Sequence, residues 1–178
     1  MRGALACRIK LVDCKVPREN LIGEPGKGLK LALSAIDYTR LSVSATALGI
    51  ARAAFAAGKE YAETRQSFGK PLGKHQEVAF KVSDMFMESD VTRQLMYHAA
   101  WQKQQGAKCS SMIAAAKVSA VDTAIANANR AFTILAAKGC EQGETVERLY
   151  RDAKMTEFAG GTSEILRQVI ARDVLDSE

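Results

Sequence analysis

Val78, Val82, Met85, Ser89, Thr92, Met96 and Ala99 follow one another at alternating steps of four and three residues. Side chains at that spacing share one face of an α-helix, so the pattern predicts a helix over about 75–105 with one packed side. The spacing returns at Ala114, Val118, Val121, Ile125, Ala128, Phe132 and Leu135 and predicts another over about 109–137. Upstream, an Ala- and Leu-rich stretch predicts a helix over 28–64, with Leu29, Leu33, Ile36, Leu48 and Phe55 on its buried face. Gly49 and Gly58 in its interior permit close helix contact at some cost in helix propensity. Shorter helices are expected over 145–157 and, beyond a Gly160-Gly161 turn, over 163–174. Thr162 or Ser163 caps the last one, with Glu164 in its favourable first turn. Short connections between long amphipathic helices imply an all-α fold: an antiparallel helical bundle closed at one end by a short extra terminal helix.

The opening reads differently. Cys7 to Val12 alternates enough for a short strand, and Val16 to Gly28 reads as an ordered connection. A lone strand leaves its edges open, so it should pair with a sheet supplied from elsewhere or fray. This divides the chain into residues 1–27, an amino-terminal strand remnant with its connector, and 28–178, the bundle.

Composition narrows the function classes. The chain is 47% hydrophobic and 25% charged, with a net charge of +5 spread without a basic tract. That balance suits anions such as nucleotides and coenzyme A and does not require nucleic acid. Cys7, Cys14, Cys109 and Cys140 lack the close pairing of a zinc site and read as reduced thiols. His75 and His98 form no cluster with the carboxylates, so no catalytic metal is expected. No apolar stretch is expected to span a bilayer. The methionines read as core filler, and Trp101 as an anchor of helix packing.

Local chemistry is sparse. Arg65, Ser67, Gly69 and Lys70 make a polar turn that suits phosphate, through a guanidinium fork, a hydroxyl and close backbone approach; a solvated connector fits the same residues. His75 and Gln76 open a helix and serve equally as ligand contacts or as a cap. Neither a Walker A loop nor a dinucleotide-binding fingerprint is present.

Taken together, the segments say more. Arg65-Gln66-Ser67-Phe68-Gly69-Lys70-Pro71-Leu72 followed by His75-Gln76 resembles a signature of the acyl-CoA dehydrogenases. So does Leu149 to Lys154 followed by Gly161-Thr162-Ser163-Glu164-Ile165, with Ile36 to Arg40 early and Arg172 late. The resemblance covers essentially the whole chain and corresponds to the family's carboxy-terminal helical domain, preceded by the last strand of its middle domain. It implies an FAD-dependent oxidoreductase fold in which flavin takes hydride from an acyl-CoA while a carboxylate removes the α proton. Arg65, Ser67, Phe68 and Gln76 then correspond to contacts with a neighbouring subunit's FAD. Thr162 and Glu164 correspond to cofactor positions, and Asp37 and Arg40 to the acyl-CoA side. An internal salt bridge is the other role open to Arg40. FAD binding is expected to need the missing domains or a partner subunit. The implied partners are acyl-CoA, an electron-transfer acceptor and further copies in a homodimer or tetramer formed through the later helices. The implied compartment is the bacterial cytoplasm or the mitochondrial matrix.

Two departures stand out. Thr133, Ala136 and Ala137 occupy a segment where many relatives carry Gln and a Gly-Gly pair near the flavin diphosphate. The family's catalytic Glu would precede Gly161-Thr162 or Arg40, where this chain has Gly160 and Thr39. No catalytic residue is therefore assigned, and the chain alone is expected to be inactive. A non-catalytic assembly subunit and an acyl-CoA eliminating flavoprotein are the competing functions.

Overall fold

The computed structural model describes residues 7–176. Among them run α1 (Gly28–Thr64), α2 (Gln76–Gln104), α3 (Ser110–Leu135), α4 (Thr145–Thr156) and α5 (Ser163–Leu175). Between α1 and α2 lies a ribbon of β1 (Gln66–Ser67) antiparallel to β2 (Lys70–Pro71), followed by a 3-10 turn at Leu72–Lys74.

Helix α3 is the central element and packs against α1, α2, α4 and α5. Small side chains allow this. Ala47, Ala51 and Ala54 of α1 share one core with Ala120, Ala124, Ala128 and Ala131 of α3, with Met85 filling the gap from α2. With few side-chain atoms between them, helix axes approach closely and dispersion contacts are dense. Gly58 serves that approach: a Cβ there would lie 3.5 Å from Ala131, whereas one at Gly49 would meet open space. The predicted α2 face from Met85 to Ala99 is buried as expected.

Several expectations need correction. Leu29 and Leu33 are exposed, at 75% and 54%, and the buried face of α1 begins only at Asp37. Residues 7–12 are exposed and form no ladder among the described residues. That is the outcome for a strand lacking a sheet to join. Trp101 is not a packing anchor but lies 56% exposed, stacked on His98. By length and composition α1 is long and apolar enough to cross a bilayer, contrary to expectation. Its face from Ser44 to Ala62 is buried in the bundle.

Candidate functional site

At the early end of α1, four elements converge on two acidic and basic side chains. Asp37 is 6% exposed. It accepts from Arg40 Nη1 at 3.2 Å, from Lys103 Nζ at 3.4 Å near the end of α2, and from Ser110 Oγ at 2.9 Å at the start of α3. Removing a carboxylate from water is costly unless such donors replace the lost solvation. Arg40 spends its Nε on the carbonyl of Gly160 at 3.1 Å. The salt bridge that sequence left open for Arg40 is thus formed, and it ties α1 to the turn between α4 and α5.

That turn bends at two left-handed glycines, Gly160 at φ 70° and Gly161 at φ 107°. Thr162 follows as the N-cap of α5, its hydroxyl accepting from the Ile165 amide at 3.5 Å. The Glu164 carboxyl is held below its ordinary value, first by its own backbone N–H and then by the Thr162 hydroxyl. Below the turn sits Lys117, wholly buried, donating to the carbonyls of Glu157 at 2.8 Å and Gly161 at 2.9 Å. Sequence reasoning missed it. Its signal was available: Lys117 falls four residues after Ile113 and four before Val121, inside a buried stripe.

The other candidates lie at the far end of α1. Phe68 and Gly69 form the two-residue loop of the β1–β2 hairpin, both with positive φ (49° and 77°). A two-residue hairpin demands that geometry, which glycine accepts and phenylalanine resists. Phe68 is 95% exposed, its ring set edge-to-face with that of His75 at 6.2 Å between centroids. His75 fixes the hairpin base, its Nε2 lying 3.0 Å from the Ser67 carbonyl oxygen. Arg65 and Gln76 are exposed beside it. Arg65 makes no ion pair among the described residues.

Arg40 therefore joins Asp37 to the turn that leads into Thr162 and Glu164, while Arg65, Ser67, Phe68 and Gln76 form a separate group. Twenty-five residues separate Arg40 from Arg65, about 37 Å at the rise of an α-helix. Thr133 turns its hydroxyl back to the Asn129 carbonyl, and Ala136 ends α3 at φ 51°, ψ −131°. Among the described residues no three His, Cys, Asp or Glu side chains come together as a metal site.

Residues 26–175 match the family model described as acyl-CoA dehydrogenase, C-terminal domain. A probable acyl-CoA dehydrogenase of Bacillus subtilis, YngJ, is 42% identical over 98% of this chain and 46% of its own length. The mitochondrial short-chain specific acyl-CoA dehydrogenase of Rattus norvegicus is 40% identical over 99% of this chain and 43% of its own. The solved butyryl-CoA dehydrogenase of Megasphaera elsdenii superposes with a TM-score of 0.89 at 42% identity, over 92% of this chain and 43% of that one. The chain spans less than half the length of these relatives, which include bacterial and mitochondrial proteins, the two sources expected. A buried Asp37–Arg40 pair locked to a Gly160-Gly161 turn, an exposed Phe68 hairpin and this agreement in sequence and fold lead to one assignment: the chain belongs to the acyl-CoA dehydrogenase family, in the region of its C-terminal domain.

Proposed function

We propose that this chain is the carboxy-terminal part of a flavoprotein acting on acyl-CoA thioesters, with residues 1–27 leading out of a middle β-domain and each FAD shared between subunits. The observation that carries this reading is the division of the candidate residues between opposite ends of α1. One ligand served by both groups is met by two copies, the hairpin of one facing the turn of the other. A two-fold pair repeats such a contact twice.

The hairpin residues fit FAD. Arg65 offers a guanidinium fork for a diphosphate, and Ser67 and Gln76 add polar groups. Phe68 offers an aromatic face, and a strained residue held in the open supports a ligand-facing role. Thr162 adds a hydroxyl from the other group. Glu164 fits a diphosphate poorly, because its carboxyl is held ionised. When bound, FAD supplies the hydride acceptor for α,β-dehydrogenation.

Asp37 and Arg40 form the acyl-CoA side. The Arg40 Nη2 makes no hydrogen bond among the described residues and is left to donate to a thioester oxygen. Proton removal is where this chain departs. Thr39 and Gly160 carry no carboxylate, Asp37 accepts from three donors, and Glu157 is paired with Lys154. A base must reach the proton with a free lone pair, so the ordinary dehydrogenation lacks one.

The test uses this chain in a complete flavin-bound complex with an acyl-CoA and an artificial electron acceptor, compared with Thr39→Glu and Gly160→Glu. Negligible dehydrogenation before substitution and a gain in at least one variant are expected. Gly160→Glu must also bear a left-handed backbone, so Thr39→Glu is the less strained of the two. Robust dehydrogenation by the unsubstituted complex, unchanged by Asp37→Asn or Glu157→Gln, rejects the missing-base reading. The absent carboxylate also favours a second reading, an acyl-CoA transformation without net redox change such as elimination; product formation without any electron-transfer acceptor identifies it. Loss of FAD binding in the natural complex would instead indicate an assembly subunit.

A further inference from the structure

We infer that Lys117 is the positioning residue of the candidate acyl-CoA site, fixing from beneath the turn that Arg40 fixes from the side. The inference rests on the functional reading above and adds a group that neither the family motifs nor the local chemistry singled out.

Three carbonyls of the segment 157–161 are taken by two cations from different helices. Lys117 of α3 holds those of Glu157 and Gly161, and Arg40 of α1 holds that of Gly160. Among the described residues, the backbone bonds donated by this segment run back into α4, from the Glu157 amide to Lys154 and Met155 and from the Phe158 amide to Met155. The two glycines supply no side-chain contacts of their own and add conformational freedom. The shape of residues 159–161 is therefore set largely by Arg40 and Lys117.

A lysine is a costly way to fill a buried position. Desolvation lowers the Lys117 pKa, most strongly of all influences, and Arg40 adds to it. An apolar residue of that length would pack the same space without that penalty. Lysine offers donors that reach the two carbonyls at the ends of the 157–161 segment, Glu157 and Gly161, and cationic donors also suit the C-terminal end of α4. Removing them leaves two carbonyls without partners and frees the turn, and with it the register between Gly160 and Arg40. Ligand recognition at Arg40 depends on that register, because misplacement by about an ångström costs a large part of an oriented interaction.

Lys117→Met keeps the stem and removes the donors; Lys117→Gln keeps two N–H donors on a shorter stem and serves if the methionine variant does not fold. Amide exchange is followed in the full 178-residue chain. Butyryl-CoA affinity is measured calorimetrically in the flavin-bound complex. In Lys117→Met, exchange at the hydrogen-bonded amides that bracket the turn, Glu157, Phe158, Ile165 and Leu166, rises at least about tenfold relative to the interior of α3. Butyryl-CoA binding weakens by about fivefold or more, and Lys117→Gln recovers part of both. Unchanged exchange at those four amides overturns the inference. So does a rise shared equally by α1 and α3, which marks Lys117 as general scaffold, and so does a local rise with unaltered affinity. If the unsubstituted complex does not bind butyryl-CoA, the acyl-CoA reading fails and takes the ligand half of the inference with it. The exchange result then still decides whether Lys117 holds the turn.

Discussion

Arg40 donates to the carbonyl of Gly160 at 3.1 Å, joining residues 120 positions apart in the chain. The same guanidinium bonds Asp37, so one side chain links the carboxylate on its own helix to the α4–α5 turn. Asp37→Ala should leave the half-buried Arg40 and Lys103 without the buried carboxylate they share. Breaking a buried pair from one side costs about 3–5 kcal/mol. Equilibrium urea unfolding should show a loss of that order, with Asp37→Asn losing less because it keeps an acceptor oxygen.

Lys117 gives the chain a pH dependence of defined sign. Burial lowers its pKa against the opposing influence of Glu157, Asp122 and Glu164. Between its lowered folded value and its ordinary unfolded value, the unfolded chain binds more protons, so this group's contribution to stability rises with pH across that alkaline window. Below the folded value the cost of burying the ammonium is fully present. The stability difference between the natural chain and Lys117→Met should therefore shift toward the natural chain as pH rises toward the ordinary lysine value. Unfolding curves collected through that range measure it; a shift in the opposite direction contradicts the burial argument.

Ala136 ends α3 with φ 51° and ψ −131°, a backbone region that an alanine reaches only with strain. Strain of this kind costs about 1–3 kcal/mol. Its side chain is exposed, so Ala136→Gly removes the strain without opening a cavity. A rise in Tm is expected, with the gain in free energy trimmed by the extra entropy of glycine in the unfolded chain.

Phe80, Met87, Val91 and Trp101 are exposed on α2 at spacings that return to one face of the helix. Exposed apolar stripes of this kind mark association surfaces. The chain should self-associate, and Val91→Lys with Met87→Lys should shift it toward monomer. Light scattering coupled to size-exclusion chromatography reads both; a natural chain that stays monomeric across a broad concentration range contradicts the assignment.

Much of the fold was legible because helix periodicity is a local property. Helix α1 begins and ends where the pattern placed it, and α2 and α3 differ from expectation by one or two residues at their ends. Leu29 and Leu33 misled for a physical reason: an apolar stripe states that a face wants cover, not which chain supplies it. Lys117 was invisible because a charge inside a stripe reads as an interruption, although its carbonyl partners lie 40 and 44 residues away. The candidate site residues were chosen as motifs. Their separation along α1 emerges only when the helix is laid out at full length.

That length has a genetic consequence. If the Phe68 hairpin of one copy completes a cavity whose other wall is the Gly160 turn of a second copy, damage to the two ends falls on different cavities in a mixed pair. A copy spoiled at Arg65 and a copy spoiled at Arg40, each inactive with itself, would together assemble one cavity carrying both lesions and one carrying neither. Two defective alleles would then complement each other in the same cell, whereas two alleles damaged at the same end would not.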